Sequence, residues 1–476
     1  MHDTKIKKHQ KVELTIVSLA FGGQGVARIN DYVVFVRDAL PGQRVQALIT
    51  RTKKSYAEAR VIQVLSESPF AVQPRCSHFK NCGGCLLQHL RYDEQIKAKS
   101  AQVADILRRI GGLDKFELFP TRPAENIFYY RNKMEFSFSR HRWLTQEEID
   151  SGRKIEPQTH VLGLHARGFY DKVVDIKECH LVNPVAAEIC AAVRTFAQQS
   201  NEPVYSTSDH AGFWRFLVVR PSIGTSDLMV NIVTSRFDPH IAEQLKTKLM
   251  SEFPALTSLI NGISTSKANV AFSEHEYLLA GKPTITEKLG PYSFVISANS
   301  FFQTNTHQAN RLYDIALECA EFHGNELVYD LYCGAGTISI FMSPHVKRVI
   351  GFESVEAAVS NARENCQLNS ITNCHFVLGD LKDVLNRTSA VVSEYGQPDV
   401  VVVDPPRGGM HPRTVKDVLA LKPKRIVHVS CNPATLAREL AAFCETDYRL
   451  TKVQPVDMFP HTAHIEVVAQ LVRQNS

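Results

Sequence analysis

Between residues 8 and 66 apolar and polar side chains alternate, and glycine or proline interrupts the alternation at each turn. Val12-Glu-Leu-Thr-Ile-Val17, Tyr32-Val-Val-Phe-Val36, Arg44-Val-Gln-Ala-Leu-Ile49 and Ala57-Glu-Ala-Arg-Val-Ile-Gln-Val64 read as strands. Phe21-Gly-Gly-Gln-Gly25 and Pro41-Gly42 supply turns. Short strands joined by such turns predict a closed, OB-like β-barrel over residues 1–68. Ser66-Glu-Ser-Pro69 reads as a linker, and a helix is expected from about Tyr92 to Ile110. Residues 127–297 mix the two periods, with Lys133–Phe138 and Trp214–Arg220 the clearest strands. From about Leu312, helical segments alternate with continuous apolar strands, the pattern of a doubly wound parallel sheet. The expectation is a multidomain α/β chain: a barrel at 1–68, a central α+β domain at 69–297, and a doubly wound domain at 298–476.

Composition narrows the class without choosing a function. A chain of 476 residues is too long for one core, and 44% hydrophobic with 22% charged residues is ordinary for a globular protein. The N-terminus lacks the apolar stretch of a signal peptide and no apolar run is long enough to span a bilayer, so a cytoplasmic protein is expected. The net charge is +5, and residues 1–69 hold eleven Lys/Arg against six Asp/Glu. The barrel thus carries the whole formal excess, which points to an anionic partner such as nucleic acid.

Eleven cysteines in a reducing compartment do not suggest a disulfide framework. Cys76-x5-Cys82-Gly-Gly-Cys85 gathers three thiols, and its glycines let the backbone fold around a bound centre. Cys179, in Lys177-Glu-Cys-His-Leu181, is the candidate fourth ligand. Zinc would accept four thiolates, though only one Cys-x2-Cys knuckle is present; an iron–sulfur cluster tolerates the uneven spacing better. Spacing alone leaves both open.

The C-terminal third reads as a nucleotide fold. Glu326-Leu-Val-Tyr-Asp330-Leu-Tyr-Cys-Gly334-Ala-Gly336-Thr is a strand, a glycine turn and a helix start, without the Gly-x-Gly-x-x-Gly that admits a pyrophosphate. An acid before Gly-x-Gly suits S-adenosylmethionine, which carries an amino acid and a sulfonium but no phosphate. Successive strands end on Glu353, placed for ribose hydroxyls, and on Asp380, placed for the adenine amino group. A fourth strand ends in Asp404-Pro-Pro-Arg407-Gly-Gly409, and the next in Ser430-Cys431-Asn432-Pro433. Asn432 as N-cap and Pro433 at the first helical position would set Cys431 at a helix N-terminus, which favours a nucleophilic thiolate. Asp-Pro-Pro followed by Arg407 instead of an aromatic, with a cysteine one strand later, argues for carbon and not nitrogen as methyl acceptor.

With these residues assembled, the chain resembles an RNA uracil-C5 methyltransferase, of the kind with a TRAM domain and an iron–sulfur cluster that acts on large-subunit (23S) ribosomal RNA. The resemblance covers nearly the whole chain and includes the cysteine knot and Tyr130-Arg-Asn-Lys-Met-Glu-Phe136. It extends to Ser300-Phe-Phe-Gln303-Thr-Asn305, Asp404-Pro-Pro-Arg-Gly-Gly409, Ser430-Cys-Asn-Pro433 and Phe459-Pro-His-Thr-Ala-His-Ile-Glu466. It implies a TRAM RNA-binding barrel with Arg51, Lys53, Lys54 and Arg60 facing phosphate, and a Rossmann-like methyltransferase domain. It further implies a [4Fe-4S] cluster on Cys76, Cys82, Cys85 and Cys179, and S-adenosylmethionine contacts from Gln303, Tyr332, Thr337, Glu353, Asp380 and Asp404. The helix near 93–126 would return to the catalytic domain.

Cys431 is then the nucleophile that adds at uracil C6, and Glu466 is the base that removes the C5 proton after methyl transfer. His461, His464 and Phe459 are expected to enclose Glu466, and Phe301 or Phe302 to stack on the extruded base. Ribosomal RNA is favoured over transfer RNA on the expectation that transfer-RNA enzymes lack the basic barrel and the knot. A silent RNA-binding assembly factor and an amino-methyltransferase are the alternative classes. A monomer suffices for this chemistry.

Overall fold

The computed structural model describes residues 6–153 and 159–474. Six strands form the N-terminal sheet, in spatial order Lys11–Thr15, Arg44–Thr52, Tyr56–Ser66, Tyr32–Arg37, Gly25–Ile29 and Ser18–Leu19. Ile16 N–H donates to Gln43 O and Val17 N–H to Val26 O, so the chain leaving the first strand reaches both sheet edges and closes a barrel. Leu14, Ile16, Val34, Val36, Val45, Ala47 and Ile49 fill it. Alternate positions face inward, as a period of two requires. Gly25 allows the closure: a Cβ there would lie 2.9 Å from Ala39 O and from the Ile16 side chain.

The central sheet has seven strands, ordered Val173–Asp175, Val161–His165, Met134–Ser139, Trp214–Pro221, Leu228–Thr234, Ser258–Ile263 and His275–Gly281. Two helices, Val185–Gln199 and Pro239–Glu252, cover it through Ile189, Val193, Leu245 and Leu249. The following hairpin, Ile285–Leu289 with Tyr292–Ile296, buries Ile285, Leu289, Phe294 and Ile296 in the C-terminal core. The same core takes in Met229 and Ile260 of the central sheet, so it is shared between the two sheets.

The C-terminal sheet has eight strands, ordered Cys374–Leu378, Arg348–Glu353, Leu327–Leu331, Val400–Val403, Arg425–Ser430, Glu466–Arg473, Tyr448–Val456 and Glu117–Leu118. The first five are parallel; Glu466–Arg473 runs antiparallel between Arg425–Ser430 and Tyr448–Val456. Strand order reverses between Leu327–Leu331 and Val400–Val403, where an open α/β sheet forms its ligand crevice. The helix Tyr92–Gly111 packs here, burying Val103 and Leu107 with Leu436, Leu440 and Phe443. A buried ion pair pins it: Lys99 Nζ lies 2.5 Å from Asp457 Oδ1, with side chains 1% and 0% exposed. Tyr92 Oη donates to the other Asp457 oxygen at 2.8 Å. Among the described residues no helix is long and apolar enough to cross a membrane.

Candidate active site

Cys431 follows the last residue of Arg425–Ser430, and Ser430 pairs with Val467 across the antiparallel neighbour. The next position outward therefore sets Cys431 beside Glu466. Asn432 caps the helix Pro433–Cys444, accepting from Ala434 N–H at 3.1 Å, and its amide donates to Arg407 O at 3.1 Å. One residue thus ties the cysteine turn to the Asp404–Gly409 loop. Met410 N–H, at the end of that loop, donates to Glu439 Oε1 at 2.6 Å, and Glu439 Oε2 lies 2.6 Å from His428 Nε2.

The electrostatics differ from the sequence expectation. Burial pushes the Cys431 thiol up to about 11, with the Glu466 and Asp404 carboxylates adding to the rise and Arg407 opposing it. A helix N-terminus was expected to favour the thiolate; desolvation and two neighbouring acids outweigh that dipole, and the resting group is a thiol. Burial also holds Glu466 well above the usual carboxylate range, reinforced by Asp404 and opposed by Arg407. Burial raises Asp404 to about 7, with His428 pulling the other way. The charged groups acting on Glu466 are thus an acid and an arginine, not the expected histidines. His461 turns away: its ring stacks on Phe128 at 4.5 Å, its Nδ1 lies 3.2 Å from Gln95 Nε2, and its carbonyl accepts from Leu86 and Leu87 N–H. His464 Nδ1 lies 2.8 Å from Arg407 Nη2.

The crevice residues converge at the carboxyl ends of four parallel strands. Glu353 Oε2 accepts from Gly334 N–H at 3.1 Å, while its other oxygen accepts from Ser354 and Val355 N–H. Gly334 has φ +55 and nothing within 4 Å of a Cβ position, so open space stands over the turn. Gly336 has none to spare: a Cβ would meet Phe376 at 2.9 Å. Asp330, wholly buried, accepts from Ser339 Oγ at 2.5 Å through one oxygen, and its other oxygen has no partner. Its carboxyl is raised to about 7 by burial. An orphaned acceptor under an open glycine turn fits a ligand carrying N–H donors. Thr337 Oγ1 lies 3.1 Å from Tyr313 Oη, and Tyr332 adopts φ 64 in the turn. Exposed Asp380 caps the helix Leu381–Val384 and pairs with Lys382 at 2.9 Å, which lowers its carboxyl. Asp404 completes the row at the strand next to the reversal.

The Ser300–Asn305 loop is braced from two sides. Buried Arg220 donates to Ser300 O at 2.6 Å, and Asn132 donates to Gln303 O at 2.9 Å and Thr306 Oγ1 at 2.8 Å. Asn305 donates to Met458 O at 2.9 Å, and Tyr130 to Pro460 O at 3.0 Å. Asn132 and the Met458–Pro460 backbone thus hold the loop that carries Gln303. Of the two aromatics, Phe302 is buried against Phe294, whereas Phe301 is 72% exposed and free to stack.

Cys76, Cys82, Cys85 and Cys179 line one cavity of about 660 Å³ with Arg131 and Lys133. Burial raises all four thiols, Cys82 and Cys85 to about 12. Gly84 N–H donates to Cys82 Sγ at 3.4 Å and Gln88 to Cys85 Sγ at 3.3 Å. Among the described residues no three His, Cys, Asp or Glu side chains gather in the geometry of a metal site. Leu86 and Leu87, just past the knot, bond to the His461 carbonyl, which links the cavity to the Phe459–Glu466 segment. The barrel reaches the same segment: a Cβ on Gly23 would lie 3.6 Å from Ala463 and from Leu86.

Residues 226–474 match the model of the tRNA (uracil-5-)-methyltransferase family, and residues 6–62 that of the TRAM domain. The chain belongs to the tRNA (uracil-5-)-methyltransferase family. It is 42% identical over 470 residues to an uncharacterised RNA methyltransferase of Chlorobaculum tepidum, covering 98% of this chain and 97% of that protein. It is 43% identical over 466 residues to one of Porphyromonas gingivalis, covering 97% and 99%. The crystal structure of Pyrococcus abyssi tRNA (uracil-54, C5)-methyltransferase in complex with S-adenosyl-L-homocysteine is 30% identical and superimposes with a TM-score of 0.71. That superposition covers 97% of this chain and 99% of the archaeal one.

Sequence reading missed several supports of the site. Asp457 and Lys99 lie 358 residues apart, and Glu439 sits inside a helix whose pattern marks it as an ordinary polar position. Only burial of these charges reveals them.

Proposed function

We propose that this protein transfers a methyl group from S-adenosylmethionine to C5 of a uridine in large-subunit (23S) ribosomal RNA, giving 5-methyluridine. The observation that carries the reading is the register placing Cys431 beside Glu466 at the edge of the crevice that holds Asp404. Cys431 gives its proton to solvent and its sulfur adds to uracil C6, which moves electron density onto C5 and O4. S-adenosylmethionine, bound by Gln303, Tyr332, Thr337, Glu353, Asp380 and Asp404, supplies the electrophilic methyl. Glu466 takes the C5 proton, the C5–C6 double bond re-forms, and the Cys431 thiolate leaves. A carboxylate whose pKa is raised by burial is a stronger base for that proton. A thiol raised to about 11 is a correspondingly strong nucleophile once deprotonated.

The four thiols of the knot cavity suit a soft, thiolate-bound centre, and a [4Fe-4S] cluster on Cys76, Cys82, Cys85 and Cys179 is part of the proposal. Methyl transfer from a sulfonium needs no electron, so its role is to brace the segment that continues into Leu86, Leu87 and the His461 contact. Transfer RNA is the second reading, favoured by the substrate of the archaeal neighbour. The test is incubation of anaerobically prepared protein with S-adenosylmethionine and unmodified ribosomal or transfer RNA, followed by nucleoside mass spectrometry. The expected product is 5-methyluridine in ribosomal RNA only. The same product in transfer RNA alone selects the second reading, and N6-methyladenine overturns both.

A further inference from the structure

Arg215 is 3% exposed and forms no salt bridge among the described residues. Its Nη1 donates to Ser264 O at 2.6 Å and Nη2 to Ala268 O at 2.9 Å, but Nε–H has no acceptor. Its guanidinium lies 4.2 Å from the Tyr205 ring centroid. The Glu274 carboxylate acts on it from beyond salt-bridge distance, so this largely desolvated charge remains an attraction for a negative group. Arg215 lines a cavity of about 210 Å³ together with Tyr170, Asp171, Tyr205, Thr207 and His165. His165 adds a second buried nitrogen, Nδ1, without a partner, while its Nε2 lies 3.0 Å from Ser137 Oγ.

The walls are pre-formed. Arg140 fastens the 204–211 loop through Val204 O at 2.8 Å, Ala211 O at 2.8 Å and Asp209 at 2.8 Å. Tyr170 lines the cavity and is 76% exposed. A volume of about 210 Å³ lies below the roughly 300 Å³ at which drug-sized pockets begin, and suits one flat heterocycle. Rings offer stacking, His165 and Thr207 can bond base edges, Asp171 can accept from a base N–H, and Arg215 sets a positive potential for phosphate.

We infer that this cavity is a subsite for one unpaired nucleotide of the RNA substrate, distinct from the uridine that meets Cys431. The inference rests on RNA being the substrate. Because no group in the cavity touches the reacting atoms, its occupation contributes to RNA affinity and site choice and leaves the chemical step alone. A free mononucleotide shares the same chemistry, and the experiment separates the two.

The test uses full-length protein and an RNA that the wild type methylates, with 4-thiouridine scanned through the unpaired positions. Cross-linking is expected to join one nucleotide other than the target to the peptide spanning Tyr205–Arg215. Tyr170→Ala, which removes the exposed ring, and Thr207→Trp, which fills the cavity, are each expected to weaken RNA binding about tenfold. Single-turnover methylation at saturating RNA should stay within twofold of wild type. If both variants fold and bind RNA as tightly as wild type, or if no cross-link reaches this peptide, the inference is overturned while the methylation reading stands. Tight binding of a free uridine, cytidine, adenosine or guanosine monophosphate, unaffected by competing RNA, also overturns it. Failure of the wild type to bind or methylate any RNA would instead overturn the proposed function.

Discussion

At the scale of single residues, the candidate reactive positions stand out in the sequence and their charge states do not. Cys431 stands out because a strand, an N-cap asparagine and a proline frame it, and Glu466 because it closes a recognisable segment. The ionisation of Cys431 depends on groups brought in by other strands: Glu466, Asp404 and Arg407. No local pattern encodes that sum. A thiol raised to about 11 is almost wholly protonated at neutral pH, and its thiolate fraction grows tenfold for each pH unit below that value. The rate of Cys431 alkylation by iodoacetamide in ligand-free protein should accordingly climb about tenfold per pH unit between roughly pH 7 and 9. Arg407→Ala removes the one cationic group that opposes the rise, so alkylation at a given pH should slow by roughly threefold. Peptide mass spectrometry of the alkylated site measures both. A rate already level at pH 7 would mean the thiolate is present at rest.

At the scale of elements, strands and glycine turns were readable from period and punctuation, whereas attachments between distant segments were not. The barrel strands and the parallel order of the C-terminal sheet follow from local pattern. The return of Tyr92–Gly111 to the C-terminal core came only by resemblance, because its hydrophobic stripe does not say which domain it covers. The Lys99–Asp457 pair shows what holds it there. Lys99→Ala would strand a carboxylate that is 0% exposed, and removing one partner of a buried pair costs about 3–5 kcal/mol. Urea denaturation should show that loss with an unchanged slope. A variant as stable as wild type would mean Asp457 is served well enough by Tyr92 alone. The pair also sets the entry to Phe459–Glu466, since Lys99 Nζ donates to Phe459 O at 3.2 Å.

For the whole molecule, three units meet on one segment. Gly23 of the barrel approaches Ala463, Leu86 and Leu87 beside the cysteine knot bond to His461, and Asn305 bonds to Met458. The basic positions Arg51, Lys53, Lys54 and Arg60 are all exposed on the barrel. The RNA class is not legible at this scale, since the family match does not separate ribosomal from transfer RNA. The knot's role is a prediction at this scale. Cys82→Ser should lose iron, measured by absorbance and metal analysis, and should lose RNA affinity by tenfold or more as the Leu86–His461 contact loosens. Iron loss with folding and RNA affinity intact would rule out the bracing role.

The central claim is that Cys431 bonds to uracil C6 and that Glu466 completes the turnover. An RNA bearing 5-fluorouridine at the target position tests it most directly. After sulfur addition and methyl transfer, C5 holds fluorine where the base needs a proton, so elimination cannot follow and the protein–RNA bond persists. Denaturing electrophoresis with S-adenosylmethionine present should reveal a stable adduct, and mass spectrometry should map it to the peptide carrying Cys431. Cys431→Ala should form none, while Glu466→Gln should form the same adduct on ordinary uridine because the C5 proton stays in place. A methylating enzyme that yields no adduct on the fluorinated RNA, or one linked through another residue, would contradict the account.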